Sequence, residues 1–157
     1  MDAGTVRAAG MSNVTTDQIR EAHAILGDAL VSVQNRYSPA VRDAEPALEL
    51  TTRLGLAFLP WSPLGGISRS SLDGPSGPAS SDTAFHRIAA GHGVSPQRVA
   101  LAWLLHRAPT VIPIPGASRP PSILDSARAT ETVLGAAELE QLEALRPADE
   151  LGGRARG

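Results

Sequence analysis

The sequence contains no cysteine and no lysine; all fourteen of its basic residues are arginine. Without cysteine there is no disulfide, no thiolate nucleophile and no thiolate ligand for a metal. Without lysine, any mechanism that needs an internal lysine is excluded. Aromatic residues are scarce: two tryptophans, two phenylalanines and one tyrosine, Tyr37. A formal net charge of −2 provides no basic footprint for nucleic acid or for an acidic membrane surface. No apolar run approaches the roughly 18 residues that span a bilayer. The opening MDAGTVRAAG has no apolar stretch of the signal-peptide type, so the expectation is a cytoplasmic chain.

Familiar chemical signatures are missing too. His23, His86, His92 and His106 form no i, i+4 pair, and there is no H-E-x-x-H. They read as helix-surface residues and predict no metal site. There is no G-x-S-x-G, no G-x-G-x-x-G and no P-loop, which removes the usual serine-hydrolase and nucleotide-binding signatures.

What is present is an ordinary globular composition, 42% hydrophobic over 157 residues, enough for one packed domain. Short apolar runs alternate with helical patterns. Strands are expected at Thr5–Met11, Ala29–Val33, Leu56–Leu59 and Thr110–Ile114. Helices are expected from Thr15, with Gln18 completing a capping box, and from Glu45-Pro46. Others follow from Asp82, from the Ser95-Pro96 start, from Pro120-Pro121 and from Ala136 to Leu145. Gly27, Gly55 and Gly93 read as helix stops. Ile19, Ala22, Ile25 and Leu26 should form one buried face, and Ile123, Leu124 and Ala127 another. Repeated β-α order implies a parallel sheet with right-handed crossovers.

The stretch GLAFLPWSPLGG, residues 55–66, organises this pattern. Its strand ends at Trp61-Ser62, and α/β proteins place ligands where parallel strands end. Ser12-Asn13, Gln34-Asn35 and Gly116–Arg119 end the other strands, so all four groups belong on one rim. Amides at Asn13 and Gln34 suit a carboxamide, and Trp61 suits a flat ring. A glycine before a helix N-terminus suits a phosphate, which Arg119 can assist. The Gly65–Ser81 loop, rich in glycine, serine and proline, begins beside this rim.

GMSNVT, VQNRYSP, the PWSPLGG stretch and IPIPGASRP occur in this order. Together they resemble the second half of the aldo-keto reductase family, over about Val6 to Leu145. A complete barrel of that kind needs about 250 residues and rarely fewer than about 200. The resemblance therefore implies an α/β fold, a partial (β/α)8 TIM barrel of the last four strand–helix units in residues 1–146, with a disordered tail at 147–157. It implies that Ser12, Asn13 and Gln34 hold a nicotinamide carboxamide and that Trp61 stacks on the ring. Ser62 and Leu64 would approach the pyrophosphate. The Gly116–Ser126 segment, including Gly116, Ser118, Arg119 and Asp125, would read the adenosine 2′-phosphate. Gly116 stands where many members have lysine, Ser122 where many have arginine, and Asp125-Ser126 replace Glu-Asn. NADP(H) is the cofactor implied, with NAD(H) as the second choice. The family's catalytic tyrosine, lysine, aspartate and histidine belong to the other half, and Tyr37 does not match the catalytic tyrosine. The expectation is an oxidoreductase half that binds the dinucleotide without turnover. The alternative is a truncated, non-catalytic fragment or interaction module. An uncovered inner sheet face and two open edges further predict self-association or pairing with a separate N-terminal half.

Overall fold

The computed structural model describes residues 4–67 and 83–145. Three strands, β1 (Ala9–Ser12), β2 (Leu30–Gln34) and β3 (Ala57–Phe58), form a parallel sheet in the order β1-β2-β3. Six α-helices accompany it among the described residues: α1 (Thr16–Leu26), α2 (Glu45–Leu54), α3 (Ala84–His92), α4 (Pro96–Arg107), α5 (Pro120–Ala127) and α6 (Ala136–Ala144). The expected α/β alternation is present. None of these helices is long and apolar enough to cross a membrane.

Helix boundaries follow local chemistry. Thr15 accepts from the Gln18 N–H while the Gln18 side chain accepts from Thr15, completing the capping box of α1. Ser95 Oγ accepts from the Arg98 N–H at 3.0 Å at the start of α4, with Pro96 following as the first helical residue. Gly55 and Gly93 end α2 and α3 at φ of 70° and 64°, a conformation that other residues adopt only with strain. α3 begins after Thr83, whose side chain makes no capping hydrogen bond; Asp82 and most of the Gly65–Ser81 loop lie outside the described residues, as does the 147–157 tail.

The strands depart from expectation in instructive ways. β1 starts at Ala9 rather than Thr5, because its register on β2 begins at Ala9 opposite Leu30 and residues 5–8 have no partner strand. A short 3-10 turn takes up Gly27–Ala29 and moves β2 one residue on. The fourth expected strand is reduced to a single parallel bridge, Val111 to Phe58. Backbone bonds still bind that segment to β3: Phe58 N–H to Thr110 O and Ile112 N–H to Phe58 O, both at 2.9 Å. On its far side the Val111 N–H turns back to Ala108 O at 3.1 Å, and Pro113 and Pro115 have no N–H. That edge offers a new strand no free donor, so it is blunted rather than open.

The core lies between the sheet and the helices. Trp103, Tyr37, Phe58, Leu30, Val33 and Leu104 are fully buried. α4 is buried on almost every side, including Val99, Leu101 and Ala102. Two expected apolar faces are corrected. Ile25 is exposed because it sits about 240° around α1 from the buried Ile19, outside the stripe that Ala22 and Leu26 share. Ile123 and Leu124 are 56% and 61% exposed. α5 instead turns Asp125 toward α4, where the carboxylate takes the Arg98 Nε–H at 3.0 Å.

Candidate functional site

The polar residues that end the parallel segments are brought together by backbone pairing. The Asn13 N–H donates to Gln34 O at 2.9 Å, and Ser12 Oγ donates to the same oxygen at 3.0 Å. Arg36 and Trp61 form a parallel bridge beyond β2 and β3, with the Trp61 N–H bonded to Asn35 O at 3.1 Å. The Ile114 N–H donates to Pro60 O at 3.4 Å. Gly116–Arg119 therefore leaves the sheet beside the Trp61 turn.

Asn13 and Ser62 are the non-glycine residues with positive φ among those described, at 55° and 48°. Each sits where a strand breaks into the rim. Strain of this kind persists only where surrounding contacts fix it. At Asn13 those contacts are explicit. Its Oδ1 accepts the Trp61 indole N–H at 2.9 Å. An indole can only donate, so this bond orients the Asn13 amide and leaves its NH2 for a ligand acceptor. The Arg36 guanidinium lies 5.6 Å from the Trp61 ring centroid, within cation–π range. The ring is thus held at its nitrogen and approached by a cation. The Gln34 side-chain amide makes no hydrogen bond among the described residues.

Ser62 is buried, and its Oγ has no hydrogen-bond partner among the described residues. A buried hydroxyl without a partner is costly, so it is an available donor. Leu64 packs its side chain against the core. Gly116, Ser118 and Arg119 are all exposed. The helix that follows them provides no amide cradle, contrary to expectation. Pro120 and Pro121 lack N–H groups, and the Ser122 and Ile123 N–H groups turn back to Arg119 O at 3.0 and 3.3 Å. Asp125 is engaged by Ser95 Oγ and Arg98. Partial burial pushes its carboxyl up, but these two partners outweigh burial and hold it below the ordinary carboxylate range.

Two further residues shape the site: Asn35, which the sequence placed on the rim without a role, and Arg36, which it did not single out. Asn35 is buried and exchanges side-chain bonds with the Val14 backbone at 2.8 and 3.0 Å, fixing the loop after β1. Its signal was its place beside Gln34 at the strand end. Arg36 had no signal except its position one residue further on. Two of the histidines make structural contacts: His86 meets Thr83 Oγ1 at 2.9 Å and His92 meets Glu138 at 2.7 Å. No cluster of three metal-ligating side chains occurs among the described residues. A hollow of about 530 Å3 between α2, α4 and α6 involves none of the rim residues.

The model of the Aldo/keto reductase family matches residues 1–147. The chain belongs to the aldo/keto reductase family. It is 39% identical over 115 residues to pyridoxine 4-dehydrogenase of Escherichia coli, covering 73% of this chain and 36% of that protein. A thermostable aldo-keto reductase solved with the inhibitor epalrestat superposes with a TM-score of 0.77 at 28% identity, over 92% of this chain and 50% of that one. The Bombyx mori aldo-keto reductase in complex with NADP shares the fold, with a TM-score of 0.75 at 23% identity over 92% of this chain and 46% of its own. The chain thus spans half or less of the length of these relatives, and it superposes on about half of each of these two solved chains.

Proposed function

We propose that the rim holds a nicotinamide dinucleotide, NADP(H) first and NAD(H) second, in the manner of an aldo/keto reductase that reduces aldehydes or ketones. The observation that carries this reading is the Trp61–Asn13 bond at 2.9 Å, which fixes a flat ring beside an oriented amide. The residues present fit most of such a ligand. Asn13 and Gln34 offer amide groups to a carboxamide, with Ser12 close by, and Trp61 offers a stacking face. The unpartnered Ser62 hydroxyl and the adjoining Leu64–Gly66 backbone suit the pyrophosphate. Gly116, Ser118 and Arg119 face solvent where the adenosine end belongs, with Arg119 supplying the charge. Asp125 acts here by holding α5 to α4. The chemistry the group supplies when bound is hydride transfer.

Proton donation is a separate matter. The chain has no lysine, and Tyr37 is fully buried, stacked on Trp103 at 5.9 Å and 13°. Burial raises its phenol above the ordinary value, against the opposing pull of Arg107 and Arg42. We therefore read residues 1–146 as the cofactor-holding half, which orients the dinucleotide without completing the reaction. A second reading, a non-catalytic interaction module, draws on the exposed apolar side chains Val31, Ile112 and Ile114. Calorimetric titration of the purified chain with NADPH and NADH separates the two. Saturable binding, tighter for NADPH, is expected; no binding of either refutes the cofactor reading and leaves the module.

A further inference from the structure

The turn that carries Trp61 leans on a second piece of chain. Ser38 and Val41 exchange backbone hydrogen bonds at 2.9 and 3.2 Å, closing a tight hairpin. The Ala40 N–H donates to Gly65 O at 3.3 Å, and the Tyr37 N–H donates to Trp61 O at 3.4 Å. Gly65 lies so close that a Cβ on it would come within 2.7 Å of Ser38 Oγ. The hairpin and the Trp61–Gly66 turn are therefore in direct contact through backbone bonds and close packing.

Arg42 follows this hairpin and reaches across the fold to the last turn of α6. Its guanidinium donates to Leu142 O at 2.9 Å and Glu143 O at 3.3 Å, with the Glu143 carboxylate at 3.5 Å. Carbonyls at a helix C-terminus lack intrahelical partners and carry partial negative charge, so a cation there caps the helix. Arg42 also lies over Trp103, 4.6 Å from the ring centroid. The Trp103 indole N–H bonds Glu143 at 2.8 Å, and Arg107 bridges Glu143 to Glu45 at the start of α2. None of these groups ends a strand on the rim, and the proposed binding chemistry uses none of them.

We propose that Arg42 is a positioning residue for the rim: by capping α6 it fixes the 38–41 hairpin, and the hairpin fixes the turn that presents Trp61. Its effect on cofactor binding rests on the reading of Trp61 given above; its effect on Trp61 does not. A lysine is a point charge and cannot fork between two carbonyls as a guanidinium does, so Arg42→Lys should restore little.

The test uses fluorine NMR of the full chain labelled with fluorotryptophan, whose two resonances are assigned with Trp61→Phe. Arg42→Ala and Arg42→Lys, shown to be folded by circular dichroism, should shift or broaden the Trp61 resonance. The NADPH dissociation constant should rise about fivefold, a typical size for coupling through packed contacts. Gly65→Ala pushes on the same contact with Arg42 intact and should move the same resonance. Loss of stability alone would leave Trp61 untouched in the folded protein. An unchanged Trp61 resonance in a folded Arg42 variant overturns the proposal. Should both Arg42 variants fail to fold, an unchanged resonance in Gly65→Ala overturns it instead. A wild-type chain that binds no NADPH, but whose Trp61 resonance still depends on Arg42, refutes the cofactor reading and upholds the positioning role.

Discussion

Trp61 shows how one side chain can be fixed by groups from three strands. Its indole N–H reaches Asn13 beyond β1, Arg36 approaches its face from beyond β2, and its own backbone continues β3. Trp61→Phe keeps a flat ring but removes the indole donor that orients the Asn13 amide. We expect NADPH affinity to fall about tenfold, equivalent to about 1.4 kcal/mol, and the cofactor-induced change in tryptophan fluorescence to vanish. Trp103, buried among Tyr37, Phe85 and two arginines, serves as the internal reference. A fluorescence response that survives the substitution unchanged shows that Trp61 is not the platform.

At the scale of elements, α5 and α6 are attached by polar contacts at their ends, and two predictions follow from that chemistry. Asp125 joins α5 to Ser95 and Arg98 at the head of α4, and Glu138 joins α6 to His92 at the end of α3. The Gly135 N–H and His92 hold the Glu138 carboxyl below its ordinary value, as Ser95 and Arg98 do for Asp125. A carboxylate with a lowered folded pKa contributes stability above its unfolded pKa and loses it as pH falls through the folded value. Thermal melts from pH 7 to pH 3 should therefore show Tm declining below about pH 4. Asp125→Asn should lower Tm at pH 7 and flatten that decline. An Asp125→Asn protein with the same acid slope as wild type shows that this pair does not govern it. The second prediction concerns Gly135, the N-cap of α6, which has no side chain to accept from the helix. A Cβ there meets only Glu138 Oε2, at an ordinary 3.6 Å. Gly135→Ser should stabilise the chain by a few tenths of a kcal/mol, measured by urea unfolding; destabilisation would show that serine displaces Glu138 from the Gly135 N–H.

The whole molecule is an α/β sheet whose contacts with the helices bury Leu30, Val33 and Phe58, with apolar side chains left uncovered elsewhere. Val31, Ile112 and Ile114 on the strand segments are exposed, as are Ile123 and Leu124 on α5. Apolar burial is worth roughly 25 cal/mol per Å2, so covering several hundred Å2 favours association. The edge formed by residues 111–115 has no free N–H donor, so the apolar face rather than that edge is where association should occur. Light scattering over a dilution series should show mass rising with concentration. Ile112→Glu should suppress that rise with a stability change within about 0.5 kcal/mol, as for other surface substitutions. A wild-type chain that stays a compact monomer at micromolar concentration sinks this expectation. Turnover belongs to the same scale. The chain alone should not oxidise NADPH with aldehydes or ketones, because it has no lysine and its tyrosine is buried beneath the rim; activity that co-purifies with the chain would overturn the half-site reading.

The sequence by itself determined the elements whose causes are local. The Thr15–Gln18 capping box, the Ser95-Pro96 start and the Gly55 and Gly93 stops depend on a few adjacent residues, and they fold as their chemistry dictates. Ordered motifs at strand ends also made the family and the polar rim legible before any coordinates. Tertiary structure decided whatever depends on a partner distant in the chain. β1 begins where β2 can pair with it, and residues 110–114 join the sheet through a single bridge, Val111 to Phe58, because β3 itself is only two residues long. Ile123 and Leu124 look like core residues until Arg98, more than a helix away, captures Asp125 and turns α5 the other way. The Asn13–Trp61 bond and the Arg42 cap on α6 span 48 and 100 residues, and no local pattern encodes either. Such contacts follow from which strand ends and helix ends the packed core leaves adjacent, and only the folded chain sets that adjacency.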